Sequence, residues 1–170
     1  MTNIDLHTHS VYSDGTYTPA EIVNYAKEKG LSAVSLTDHD TIDALHRYLH
    51  KEGTAYVESQ NQPFSVVVKK IHDAGGVASL AHPGEYGLND TETERLVRCL
   101  AEDGLDAIEC IHPVHSFAYS QKIITLSKQY NLALTGGSDF HGKNDDGTDL
   151  GMGGDRMLIP ESFLAKLHIR

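Results

Sequence analysis

Ile4-Asp5-Leu6-His7-Thr8-His9-Ser10, with Ser13-Asp14-Gly15 close behind it, decides how this chain is read. Side chains at i and i+2 of a strand point to one face, so His7 and His9 approach a common point while Leu6 and Thr8 face away. A short apolar strand that delivers two imidazoles and a carboxylate to its own C-terminal end is the start of a metal site. Other strand-like runs repeat the pattern. Ala33-Val34-Ser35-Leu36 leads into Asp38-His39-Asp40, Val77 to Ala81 into His82-Pro83-Gly84, and Ala107 to Ile111 into His112-Pro113-Val114-His115. Leu132 to Thr135 leads into Gly136-Gly137-Ser138-Asp139-Phe140-His141.

Amphipathic segments alternate with these runs. Thr18-Pro19-Ala20-Glu21 has the spacing of a capping box with proline in the first turn, and Gly30 closes that helix. A helix is predicted around Thr41 to His50, followed by a polar loop from Gly53 to Pro63. The next helix carries Val67, Val68 and Ile71 on one face and stops at Gly75-Gly76. Thr91-Glu92-Thr93-Glu94 predicts a second capping box and a helix to Asp103, and Phe117 to Tyr130 a helix with Ile123, Ile124 and Leu126 inward. A short strand at Met157 to Ile159 and a helix after Pro160 complete the pattern.

Strands alternating with helices imply parallel pairing, right-handed crossovers and an α/β barrel whose post-strand loops share one face. On that face His7, His9, Asp14, His39, His82, His112, His115, Asp139 and His141 converge from across the sequence. Imidazole with carboxylate suits manganese, iron or zinc, since calcium and magnesium sites are normally all oxygen. Such ions activate water and stabilise attacking and leaving oxygens, which fits phosphate ester hydrolysis. Amide or amine hydrolysis on a related His-x-His barrel is the rival chemistry.

Composition narrows the field. The 170 residues are 39% hydrophobic and 22% charged, as expected of one globular domain. Fourteen basic against 24 acidic residues give a net charge of -10, which repels a phosphate backbone and argues against duplex nucleic-acid binding. Cys99 and Cys110 lack metal-type spacing, and no apolar run approaches the roughly 20 residues of a membrane span, so a cytoplasmic location without membrane contact is expected. Of the 11 histidines, His46, His50, His72 and His168 lie in or near helical stretches and read as solvated side chains.

Asp5 to Ser10, Ser13 to Thr16, Leu36-Thr37-Asp38-His39-Asp40-Thr41, Leu80-Ala81-His82-Pro83-Gly84 and Gly137 to Gly142 together resemble the ordered motifs of the PHP (polymerase and histidinol phosphatase) family. Glu109-Cys110-Ile111-His112-Pro113-Val114-His115-Ser116 resembles the branch acting on nucleoside 3',5'-bisphosphates and short oligoribonucleotides. The resemblance implies a distorted seven-stranded barrel and a trinuclear centre. His7, His9 and Asp139 would hold one metal, Asp14, His39 and His141 another, and His82 would belong to a third. Asp14, His39, Asp139 and His141 would be the catalytic set, His112 and His115 would meet the substrate phosphate, and Asp38 would orient a ligand.

The chain departs from that family between Leu45 and His46, where a strand ending in a bridging glutamate, a further histidine and a helical insert are expected. Glu52 and Glu58 are poor substitutes for that glutamate. Residues 1–170 therefore read as a single PHP-like domain with an internal deletion near 45–46, an incomplete barrel. Its function reads as a metal-dependent phosphoesterase for small nucleotides or short oligonucleotides. The alternatives are a catalytically impaired metal-binding or interaction module and an amidohydrolase-type enzyme. An unpaired strand edge at the deletion also predicts either self-association that covers the gap or a weakly stable monomer.

Overall fold

The computed structural model describes residues 3–39, 62–144 and 148–167. Five parallel strands form its frame: β1 (Asn3–Asp5), β2 (Leu31–Val34), β3 (Ser79–Leu80), β4 (Ala107–Ile111) and β5 (Ala133–Gly136). β1 pairs with β2, and β4 lies between β3 and β5. The chain just beyond β1 and β5 joins the two groups. Leu6 N–H donates to Gly136 O (3.1 Å), Asp139 N–H to His7 O (2.9 Å) and His9 N–H to Phe140 O (2.9 Å). The spatial order is therefore β3-β4-β5-β1-β2, an arc in which the first strand meets the last. Among the described residues β2 and β3 do not pair with each other. The helix predicted at Thr41 to His50, the loop after it, Glu52, Glu58 and the deletion point at 45–46 lie outside the described residues, as does His168.

Among the described residues four α-helices flank the strands: α1 (Pro19–Glu28), α2 (Phe64–Asp73), α3 (Asp90–Glu102) and α4 (Phe117–Gln129). Thr18 caps α1 as its spacing predicts, with Thr18 Oγ1 accepting from Glu21 N–H and Glu21 Oε2 accepting from Thr18 N–H. Ile22 and Ala26 are its buried positions. On α2 only Val68 is fully buried, while Val67, expected inward, is 40% exposed. The second capping box lies two residues earlier than expected. Asn89 Oδ1 accepts from the N–H groups of Thr91 and Glu92, so Glu92 takes the reciprocal position. Thr93 is then inside the helix, buried, donating its hydroxyl to Asn89 O.

β4 is buried at all five positions and packs Ile108 and Cys110 into the main core with Ile4, Val97, Ile123 and Ile159. The expected strand at Met157 to Ile159 reduces to separate bridges, Met152 with Leu158 and Asn3 with Pro160. Asp155 and Arg156 adopt left-handed backbone just before it, and Pro160 has no N–H to extend a ladder. The turn after Pro160 is a 3-10 helix, Glu161–Lys166. Among the described residues no helix is long and apolar enough to cross a membrane.

Asp5 fastens the frame. Its fully buried carboxylate accepts from the N–H groups of His7 (3.2 Å), Ser138 (3.0 Å) and Gly151 (2.7 Å). Burial pushes its carboxyl above the ordinary value, and these donors act in the opposite sense. Asp5→Ala leaves three buried N–H groups without an acceptor and should lower the unfolding free energy by about 3 kcal/mol, read from urea midpoints. A change under about 0.5 kcal/mol would show that the hub is dispensable.

Candidate metal centre

The donors predicted from the sequence sit just beyond C-terminal strand ends or on a turn packed there. His7 and His9 follow β1 with ring centroids 5.2 Å apart, while Thr8 between them turns away and donates its hydroxyl to Ser35 O. The turn carrying Asp14 folds back because Ser10 O accepts from the N–H groups of both Ser13 and Gly15. Asp38 holds that turn through Ser10 N–H, Ser10 Oγ and Ser13 Oγ at 2.5–2.8 Å. Burial raises the Asp38 carboxyl, but the Ser10 and Ser13 bonds outweigh it and leave the pKa below the ordinary value. Asp38 thus braces the loop, with Ser13 Oγ standing 3.5 Å from His9 Nδ1.

Asp139 and His141 arrive from the other end of the chain. Gly137 makes their approach feasible, since a Cβ there would stand 1.9 Å from His7 Cβ. Asp139 itself adopts φ 52° and His82 φ 27°, left-handed conformations that side-chain-bearing residues rarely take. Such strain persists only where surrounding bonds over-determine it, and it gathers at functional sites.

Two clusters result. In the inner one, His7 Nε2 (3.3 Å) and His9 Nε2 (3.1 Å) face Asp139 Oδ1, while His112 Nε2 faces Oδ2 (3.3 Å). In the outer one, Asp14 Oδ1 lies 3.2 Å from His141 Nε2 and 3.5 Å from His9 Nδ1, and Asp14 Oδ2 lies 3.9 Å from His39 Nε2. The inner imidazoles are buried, whereas the side chains of Asp14 (55%) and His39 (63%) are open to solvent. Burial alone would raise the Asp139 carboxyl. Hydrogen bonds from His112 and His9 and the charges of His7 and His112 overcome it and hold the group far below the usual range.

The donor set fits divalent transition metal. Within 4.8 Å of one another lie one ligand atom each from His9, Asp14, His39 and His141, and likewise from His7, His9 and Asp139, and from His7, Glu109 and His112. His9 Nε2 is buried 3.1 Å from Asp139 Oδ1, an imidazole and a carboxylate turned toward one point that a bound cation would share. His141 Nδ1 lies 2.6 Å from Asp139 O and so carries the proton, which leaves Nε2 as the lone-pair nitrogen facing Asp14. His112 has the opposite arrangement. Its Nδ1 accepts from Val114 N–H (3.3 Å), so the neutral ring carries its proton on Nε2 and presents a donor to the centre.

Two of the expected site residues stand apart from these groups. His82, expected as a ligand, joins none of the donor groups among the described residues; it stacks on His7, and its Nδ1 lies 3.4 Å from Glu85 Oε2. His115, expected at the substrate, spends both ring nitrogens on backbone: Nδ1 bonds Cys110 O and Nε2 accepts from Gly84 N–H, each at 3.1 Å. It braces the turn after β4 against Pro83–Tyr86. Glu109 was not singled out as a functional residue. Its signal is one carboxylate inside the otherwise uncharged buried strand Ala107–Ile111.

Residues 5–67 match the PHP domain family. The 5'-3' exoribonuclease Rnm of Escherichia coli is 36% identical over 99 residues, 58% of this chain and 34% of the relative. The 3',5'-nucleoside bisphosphate phosphatase of Chromobacterium violaceum is 32% identical over 112 residues, 66% of this chain and 39% of the relative. The matches therefore span between a third and two-fifths of the length of these curated relatives. A solved structure of a candidate metal-dependent phosphoesterase from Bifidobacterium adolescentis superimposes with a TM-score of 0.74 at 18% identity, covering 98% of this chain and 95% of that one. That likeness shows a shared fold, a mixed α/β arrangement of parallel strands.

His115 gives the site a pH signature. Burial chiefly lowers its pKa, so the unfolded chain binds the proton more readily. Stability should then fall as pH drops through about 6.5, the unfolded value, toward the lowered folded one. His115→Gln removes this titration, and its urea midpoint should change less between pH 7.5 and 5.5 than that of the wild type. An equal change in both proteins would show that His115 does not contribute.

Proposed function

We propose that this chain is a metal-dependent phosphoesterase that hydrolyses phosphate esters of small nucleotides or short oligonucleotides. The observation that carries the reading is His9, whose Nε2 faces Asp139 and whose Nδ1 faces Asp14, so two donor clusters stand side by side. His7, His9 and Asp139 would hold one divalent ion, and Asp14, His39 and His141, with His9 at their edge, a second. Manganese, iron or zinc would suit these donors and would supply an activated water together with a positive charge for the phosphoryl oxygens.

The chain's own residues orient the rest. His112 donates its Nε2 proton to a phosphoryl oxygen, while Asp38 holds the turn that carries Asp14. His82 stands beside His7 and His112, close enough to contribute to a third position only if its ring turns from Glu85. With a net charge of -10, a phosphorylated substrate approaches favourably only where cations offset the carboxylates, which favours small substrates over duplex nucleic acid. Residues 1–170 act as a single domain shortened near 45–46, and self-association would cover the arc's outer edges.

The test is elemental analysis joined to an assay on adenosine 3',5'-bisphosphate. The wild type should carry manganese, iron or zinc and release phosphate. Asp139→Ala should lose metal and turnover together, and Cys99→Ser should keep both, because Cys99 is exposed and away from the centre. Metal without turnover would favour a binding module, and retained activity in Asp139→Ala would remove Asp139 from the ligand set. Because the imidazoles must be neutral to coordinate, affinity for added metal should weaken as pH falls below about 6.5. A titration unchanged at pH 5 would count against histidine ligation.

A further inference from the structure

The inner cluster contains one carboxylate that the proposed ligand sets do not use. Glu109 is 3% exposed, in the middle of a strand whose residues are all buried. Both of its oxygens are engaged. Oε2 accepts from the backbone N–H of His82 at 2.6 Å, and Oε1 lies 3.1 Å from His7 Nδ1. The register of β4 against β5 shifts between Glu109 and Ile111, a bulge of the kind that re-aims side chains beside functional sites.

We propose that Glu109 is a positioning residue that keeps the proton of His7 on Nδ1, so that Nε2 is the nitrogen offered beside His9 and Asp139. The inference rests on the metal-binding reading given above. His7 belongs to two donor groups, one with His9 and Asp139 and one with Glu109 and His112. Its Nε2 lies 3.3 Å from Asp139 Oδ1 and its Nδ1 3.1 Å from Glu109 Oε1, so a proton on Nδ1 turns the free lone pair toward the first group and a proton on Nε2 toward the second. The second alternative is the weaker one, because the Val114 N–H at His112 Nδ1 leaves His112 Nε2 protonated and unable to coordinate. A buried carboxylate behind a ligating imidazole fixes both its ring orientation and its tautomer.

The same carboxylate ties that ring to the strained backbone of His82. A peptide N–H cannot become an acceptor, so Oε2 must remain one. Glutamine has the shape of glutamate but only one acceptor oxygen. In Glu109→Gln the amide NH2 therefore faces either the His82 N–H or His7 Nδ1. In the second case His7 is pushed to the tautomer with its proton on Nε2, which blocks coordination.

The experiment uses the whole chain and zinc alone. In zinc-loaded wild-type protein labelled with 15N, His7 should keep a protonated Nδ1 and show a metal-bound Nε2. The zinc dissociation constant of the inner site should rise 10- to 100-fold in Glu109→Gln, while zinc at the Asp14, His39 and His141 cluster is retained. A purely structural Glu109 would lower the unfolding midpoint and leave zinc affinity unchanged; that result overturns the proposal but spares the metal reading. If Glu109→Gln fails to fold, the wild-type spectrum alone decides, because a zinc-bound Nδ1 or a protonated Nε2 on His7 refutes it. Wild-type protein that takes up no zinc, manganese or iron overturns both the metal reading and the role of Glu109.

Discussion

Three backbone N–H groups converging on the buried carboxylate of Asp5 are the constraint from which the rest of the centre follows. They come from the end of β1, the loop beyond β5 and the segment near Gly151. Because His7 N–H and Ser138 N–H share one acceptor, the chain that carries His7 cannot slide against the chain that carries Asp139. The ladder bond from Asp139 N–H to His7 O fixes the same register a residue further on. A one-residue slip would turn His7 and His9 to the opposite face.

Around that register the charges are graded by depth. The inner carboxylate, Asp139, meets His7, His9 and His112 and lies near His141, whereas Asp14 meets His9, His39 and His141 at the solvent boundary. His9 spans the two environments. Burial chiefly lowers the His7 pKa, but the hydrogen bond and charge of Glu109 reverse the direction and leave it above the ordinary histidine value. Buried imidazoles held between carboxylates are a costly arrangement for stability alone, because charge removed from water must be offset by good geometry. The left-handed backbone of Asp139 and His82 adds to that cost.

Much of this was legible in the residues, and the exceptions have physical causes. Ala107 to Ile111 reads as a strand and is one, because its length and bounding turns leave little alternative. The Thr18 capping box is found where its spacing places it. β2 lies earlier than Ala33 to Leu36, since pairing with β1 starts at Leu31. The second capping box moved to Asn89 because an asparagine side chain can serve two N–H groups there. Convergence of His7, His9, Asp14, His39, Asp139 and His141 followed from parallel topology. The hydrogen-bond partners of Glu109 and His115 did not, because a residue type does not reveal which partner each polar atom meets. His82 and His112 likewise depended on a backbone angle and a turn N–H that sequence spacing does not disclose.

The joining of the first strand to the last sets an order of events during synthesis. Asp5 and Ser138 are 133 positions apart, so the His-x-His pair leaves the ribosome long before the segment that completes its surroundings. At ordinary elongation rates that delay is on the order of ten seconds. During it, His7 and His9 are an unshielded pair on a nascent chain, able to take whichever cation binds imidazole most tightly. Geometric choice among metals becomes available only after β5 docks against β1. Any cation retained would therefore depend on exchange in the finished fold as well as on first capture.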